Sequence, residues 1–301
     1  LKHATIPGAV IGGVALTALY TLLISGADAI TKQFAANYAP PQLFALSGGL
    51  VVLFCLLANR DRRGRSLGLH TTCPKAMAVR AVATVLGTIA FFYAFQLLPF
   101  ADVFLFIALI PLMAALLSGP VLSERVRPQA WCALGVAVLG VGCLFQPGFG
   151  AFTMGHGMAL LAVMLGTVSM VASRYIGQRD QGLLVQVFYP NLALMLTMAL
   201  VLPFVYRPMP LTDLGWAVVY ALLLFMARWV LVAALRALPA YVVTPLMNLQ
   251  FVWMVLLGAI FFGEMPGAPV LIGALLVVSA GVWLVLDETS PRSTAAQVPA
   301  E

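Results

Sequence analysis

Of the 301 residues, 62% are hydrophobic and only 9% are charged, against about 45–50% apolar and about 25% charged in soluble domains. A soluble core cannot absorb that excess, so the chain reads as an all-α membrane protein with little water-facing mass. The formal charge of +6 forms no basic face outside short loops, which excludes nucleic acid as a partner and leaves the lipid bilayer.

About 20 apolar residues cross the hydrocarbon core as a helix. In chain order this predicts ten transmembrane helices, near 9–31, 40–59, 77–97, 99–121, 129–147, 155–177, 184–206, 214–237, 239–262 and 268–287. The first contains "ADA" (27–29), which imitates a signal-peptidase site. Its apolar run is too long for a signal peptide and only Lys2 precedes it, so a retained helix is expected, with a cleaved signal as the alternative. The third and fourth spans are divided by "LPF" and the eighth and ninth by "LPA", where proline ends one helix and opens the next. Ten spans put both termini on one side. With the termini inside, the inner segments hold Lys2, Arg60, Arg62, Arg63, Arg65, Lys75, Arg80, Arg125, Arg127, Arg174, Arg179, Arg236 and Arg292, and the outer ones only Lys32 and Arg207. The positive-inside rule therefore predicts cytoplasmic termini. Residues 288–301 ("ETSPRSTAAQVPAE") form a polar tail, expected to be disordered in the cytoplasm.

Cys55, Cys73, Cys132 and Cys143 have no metal-ligand spacing, and none of the three histidines lies in mid-span. No metal, cofactor or disulfide framework is expected. A Walker A loop, HExxH and GxSxG are absent from the sequence, so neither direct ATP use nor an enzyme is expected.

A shift of 140 residues sets "FQLLPFADV" (95–103) on "LRALPAYVV" (235–243), aligning Pro99 with Pro239. The same shift sets "LSERV" (122–126) on "FGEMP" (262–266), aligning Glu124 with Glu264, and a glycine-bearing helix follows each glutamate. Residues 1–150 then form one five-helix repeat and 151–287 a second. Five is odd, so the two repeats are inverted. Inverted repeats of this kind recur in secondary transporters, around a site near the membrane midplane.

Ten spans in two five-helix repeats, with "LSERV" and "FGEMP" before a glycine-rich fifth helix, resemble the EamA-type branch of the drug/metabolite transporter superfamily. The likeness runs over about residues 9–287 and is greatest to the YddG-type amino-acid exporters. It implies a bacterial inner (plasma) membrane location, a central cavity within a basket of eight helices, and the fifth helix of each repeat at the periphery. Many such proteins have a basic residue midway along the second helix of a repeat, whereas "LFALSGGL" and "QVFYPNLAL" are uncharged here.

Among polar residues, Asp28 and Lys32 are spaced i,i+4 near the outer end of the first helix and are expected to pair at the interface. Asp102 is a first-turn acid complementing a helix dipole. A proton-carrying role is the alternative for either acid. Arg228, inside "LFMARWVLVAAL", is too far from its helix end to snorkel; its counterpart at the 140 shift is Thr88. It is expected to contact a substrate carboxylate bidentately, or else to cap carbonyls freed by a kink.

The ninth helix, "YVVTPLMNLQFVWMVLLG", adds Asn248, Gln250 and Trp253, and Tyr20, Tyr93, Tyr189, Trp229 and Ser169 complete the candidate substrate cavity. Packing and interhelical hydrogen bonding are the competing uses of each. Pro111, Pro190, Pro245 and the pair Gly48–Gly49 are candidate hinges or gates. Ala133, Ala137, Gly140, Gly273 and Ala280 suit close helix packing, including between protomers of a weak homodimer; a monomer is the alternative. The expected function is export of small metabolites by alternating access, with apolar or aromatic amino acids first. Efflux of drugs or lipophilic cations is the alternative, and a channel or membrane-embedded enzyme fits less well.

Overall fold

A computed structural model describes residues 8–59, 69–110, 113, 117, 121, 128–143, 152–180, 183–237 and 246–288. Ten helices lie among them: α1 (Gly8–Asn37), α2 (Pro40–Ala58), α3 (Pro74–Leu97), α4 (Phe100–Ile107), α5 (Pro128–Gly142), α6 (Met154–Gly177), α7 (Leu183–Val205), α8 (Leu211–Ala237), α9 (Leu249–Phe262) and α10 (Ala268–Glu288). Six of them, α1, α2, α3, α6, α7 and α8, are long and apolar enough to cross a membrane, while Leu249–Phe262 and Ala268–Ala280 are shorter apolar stretches. Glu124, Pro111, Pro239, Pro245, Thr244 and the tail from 289 onward lie outside the described residues, as does the side chain of Arg228.

Local chemistry sets the helix ends. Prolines occupy the first turns of α2 and α3, where their fixed φ suits a helix and their missing N–H costs nothing. At the far end of α9, Gly263 adopts the left-handed conformation (φ 65°), and the next amide, Glu264 N–H, donates back to Gly258 O at 3.0 Å. This closure delivers Glu264 to the bundle. α1 runs to Asn37 instead of ending near residue 31. The polar residues that suggested a terminus are satisfied without breaking the helix: Thr31 Oγ1 donates to Ala27 O (3.1 Å), and Lys32 reaches neighbouring elements.

The longest packing interfaces pair α3 with α6, α1 with α8, α2 with α7 and α5 with α10. Smaller ones join α3 to α7, α2 to α8, α1 to α9 and α4 to α9. One apolar core surrounds α4, with Phe104, Leu105, Ala137, Met254 and Val277. A second holds Phe34, Phe44, Phe92, Met198 and Tyr220 between α1, α2, α3, α7 and α8. Large apolar residues such as Leu200, Phe204 and Ile260 stay exposed, as lipid-facing side chains require.

α5 and α10 meet backbone to backbone: a methyl group on Gly140 would lie 2.7 Å from Gly273 O, and one on Gly273 would strike Gly140 O. Both glycines, with buried Ala137 and Ala280, thus serve the close helix packing expected of them, between α5 and α10 of one chain. Gly48 likewise lets α2 approach α7, since an added methyl would lie 3.2 Å from Asn191 O.

Candidate functional site

A polar stripe runs along α1. Thr21, Ser25 and Asp28 recur at helical spacing, so one face carries them all, and that face meets α9. Trp253 Nε1 donates to Thr21 Oγ1 (3.1 Å), and Ser25 Oγ donates to Gln250 O (3.4 Å). Gln250 Nε2 donates to Asp28 Oδ2 (3.1 Å). From α8, Tyr220 hydrogen-bonds Thr31 through its side chain and lies close enough to feel the charge of Asp28. With α1 extending to Asn37, Asp28 stands about 8 Å from the helix midpoint toward the Asn37 end, well short of that end.

Asp28 does not pair with Lys32, contrary to the interfacial pairing expected from their spacing. Lys32 Nζ instead forms an ion pair with Glu264 Oε1 (3.0 Å) and donates to Phe95 O (3.2 Å) and Leu98 O (2.7 Å). The ammonium thus satisfies the open carbonyl end of α3. Glu264 Oε2 accepts the Phe100 N–H at the start of α4 (2.7 Å). Both helix ends are held by one charge pair, which leaves Asp28 to Gln250.

A second polar cluster lies near the opposite end. Arg80 of α3 donates to Ser173 Oγ (2.7 Å) and to Gln186 Oε1, Ser173 also donates to Gln186 (2.7 Å), and Ser169 Oγ is 2.9 Å from Thr84 Oγ1. Beside it, Asp180 accepts from the hydroxyls of Thr71 (2.6 Å) and Thr72 (2.5 Å) and from the Thr72 N–H. Those donors hold its carboxyl below the ordinary carboxylate range. At the other end of the bundle Tyr38 OH donates to Asp213 Oδ2; that bond and the nearby negative charge push the Tyr38 phenol up. Gln42 exchanges two hydrogen bonds with the backbone of Arg207 (2.8 and 3.2 Å). The loops that the sequence reading assigns to one side of the membrane therefore contact one another, at both ends.

The predicted cavity residues divide. Gln250 and Trp253 share the α1–α9 site. Tyr20 is half-buried on the same helix as Thr21. Asn248 immediately precedes α9 and its carbonyl accepts from Phe251 N–H (3.1 Å). Tyr93 lines a different space, a cavity of about 520 Å³ beside Tyr38, Gln96 and Arg207. Trp229 is 59% exposed and packs on Phe225. Tyr189 OH donates to Leu69 O (2.8 Å), holding the segment before α3. Pro190 is buried within α7, and Asn191 turns its side-chain amide onto Val187 O (2.7 Å), next to Gln186 O, the carbonyl whose helical donor proline removes. Gly49 faces the Met195 side chain.

Arg228 lies on α8 about 6 Å from that helix's midpoint, toward the Ala237 end. The antiparallel contacts Thr31–Tyr220 and Tyr38–Asp213 place its backbone level with Leu22 and Leu23 of α1. Thr21, Tyr220, Arg80 and the Lys32–Glu264 pair were not singled out as site residues from the sequence. The spacing of Thr21, Ser25 and Asp28 is the signal that could have found the stripe. A cavity of about 380 Å³ opens beside Asp102, His156, Met254 and Glu264.

The class defined by this fold is a multi-pass α-helical membrane protein with its polar groups gathered between apolar helices. Residues 11–146 match the EamA-like transporter family. Over 273 residues the chain is 22% identical to the pseudopaline exporter CntI of Pseudomonas aeruginosa, covering 90% of this chain and 95% of the relative. It is 25% identical over 224 residues to a riboflavin transporter of Rhizobium johnstonii, covering 73% of each. A crystal structure of a 20% identical protein superposes with a TM-score of 0.61, covering 92% of this chain and 99% of that one.

Proposed function

We propose that this chain is a secondary transporter that exports small metabolites by alternating access, built from two inverted five-helix halves around a central cavity. The observation that carries the reading is the exchange symmetry of its packing. Exchanging each helix with the one five places on turns α3–α6 into α8–α1 and α3–α7 into α8–α2, and returns α2–α7, α4–α9 and α5–α10 to themselves. The loop contacts follow the same rule. Tyr38 and Asp213 shift, by close to 140 residues, onto Asp180 and the segment of Thr71 and Thr72. Equivalent ties at opposite ends are what two interconvertible states require.

Apolar or aromatic amino acids are the first substrate class, exported across a bacterial inner membrane with both chain termini cytoplasmic. Tyr20, Trp253 and Gln250 supply rings and an amide beside the α1 stripe, and Arg228 would receive the carboxylate. The named relatives, one an exporter and one a transporter of small organic molecules, support the class. A second reading, efflux of lipophilic cations, is favoured by the Asp28 carboxylate on the α1 face whose Thr21 meets Trp253. Purified protein in liposomes, tested by counterflow of labelled phenylalanine, tryptophan, leucine, riboflavin and a lipophilic cation, separates the two. Saturable exchange of the amino acids is expected. Absence of flux for every amino acid would end that assignment, and exchange of the cation alone would establish the second reading.

A further inference from the structure

The polar groups inside the bundle have structural partners in most cases: Arg80 holds Ser173 and Gln186, and Lys32 and Glu264 hold two helix ends. Asp28 is different. It lies on a membrane-spanning helix, and its hydrogen-bond partner among the described residues is a neutral amide. Gln250 from α9 bonds it and Tyr220 from α8 lies within reach of its charge. Trp253 bonds Thr21 two turns along the same face, and the chain neighbours of Asp28, Ala27 and Ile30, share an apolar cluster with Phe44 and Phe92 from α2 and α3. Arg228, on α8, is level with residues about a turn and a half further inward. The charged residues one turn outward, Lys32 and Glu264 with Asp102 nearby, form their own cluster.

From this geometry we propose that Asp28 and Gln250 form a proton-binding site that couples export to proton entry. The proposal rests on the transporter reading and adds its energy source. A carboxyl on a membrane-spanning helix, with no counter-charge bonded to it among the described side chains, is favoured as the neutral acid while water is excluded, and as the carboxylate when water reaches it. Alternating access supplies those two conditions in turn. Gln250 suits both protonation states. Its Nε2–H donates to the carboxylate as observed, and a half-turn of the amide presents Oε1 to accept the O–H of the acid. The turn sacrifices only a 3.9 Å contact with Met254 Sδ.

Location gives the coupling. α1 belongs to the first half and α9 to the second, and Ser25–Gln250 and Thr21–Trp253 continue the same interface one and two turns from the carboxyl. Binding or loss of the proton therefore changes a contact between the halves. In the balanced cycle, Asp28 takes a proton from outside water to become the acid, releases it to cytoplasmic water after the transition, and returns as the carboxylate with outward-moving substrate. One proton enters for each molecule that leaves.

Two measurements on the full chain test this. Infrared difference spectra between acid and alkaline pH, taken in liposomes without substrate, should contain a carboxyl carbonyl band that disappears in Asp28→Asn. The band should persist in Asp102→Asn and shift in Gln250→Leu. Efflux of labelled phenylalanine from proteoliposomes should rise under an inward proton gradient, with a one-unit gradient supporting about tenfold uphill accumulation for one coupled proton. In Asp28→Asn the ratio of flux with and without the gradient should fall to one, whatever the absolute flux. A band unaffected by Asp28→Asn, or an unchanged flux ratio, overturns the proposal. Wild-type flux absent for the whole panel would overturn export and its coupling, while the infrared band would still decide the proton site.

Discussion

Replacing Lys32 by methionine removes the one cation that joins four segments. The side chain of Lys32 is 11% exposed and that of Glu264 is 30% exposed. Their pairing therefore lies between an exposed ion pair, about 0–1 kcal/mol, and loss of one partner of a buried pair, about 3–5 kcal/mol. Two carbonyl acceptors, Phe95 O and Leu98 O, lose the same donor. Together these place Lys32→Met at about 3 kcal/mol of destabilisation. Glu264→Gln should cost less, about 1 kcal/mol, because its amide oxygen can still accept from Phe100 N–H. The double variant should fall short of the sum by about 1–2 kcal/mol, since the charges no longer strand each other. SDS-induced unfolding of the purified protein, followed by tryptophan fluorescence, measures all three. Additivity within about 0.5 kcal/mol, or a Lys32→Met protein as stable as the parent, would refute the knot of four segments.

At the α5–α10 seam, Gly140→Ala should destabilise by about 1–3 kcal/mol in the same unfolding assay. Gly135→Ala, where an added methyl meets nothing within 4 Å, should be close to neutral. The Asp180 latch has a definite pH sign. Its carboxyl lies below the ordinary value of 3.8, so its contribution is complete above that value and is lost only as pH falls through the depressed one. Between pH 5 and 8, about the range in which native contacts are usually probed, the latch should hold. Asp180→Asn should release it at neutral pH, read as faster maleimide labelling of Cys73 with the other three cysteines replaced by alanine. Arg228→Lys should impair transport more than thermal stability, because planar two-point contact is lost. Full transport by Arg228→Leu would remove Arg228 from the substrate site.

Much of the helix plan was legible because apolar run length and proline punctuation act locally. The second span was expected from residue 40 and the fourth from Pro99, and the structure begins a helix at or beside each; the third begins at Pro74, three residues before the expected start. The end of α1 was misplaced because Lys32, with Asp28 before it, reads as an interfacial residue. Only the fold supplies Glu264 and the carbonyls of α3 that let Lys32 stay buried. Partner choice was illegible for the same reason: the i,i+4 rule correctly identified a possible Asp28–Lys32 pair but could not weigh competitors more than 200 residues away. Gln250 was expected either to line a cavity or to bond a neighbouring helix, and its partner, Asp28, depended on how α1 lies against α9. The latches were missed because Tyr38, Asp213, Thr71 and Asp180 look ordinary in loops and first turns. Their significance arises when distant loops are brought together.

The bare seam between Gly140 and Gly273 has a mechanical consequence. In the proposed exchange of halves, α5–α10 maps onto itself, so the contact lies on the axis about which the halves are related. Points on an axis travel least when two bodies rock in opposite senses. A contact centred on backbone, with Val277, Leu276 and Leu105 beside it, is suited to act as a bearing there. The stripe on α1 lies away from that seam, where a small rotation becomes a longer stroke.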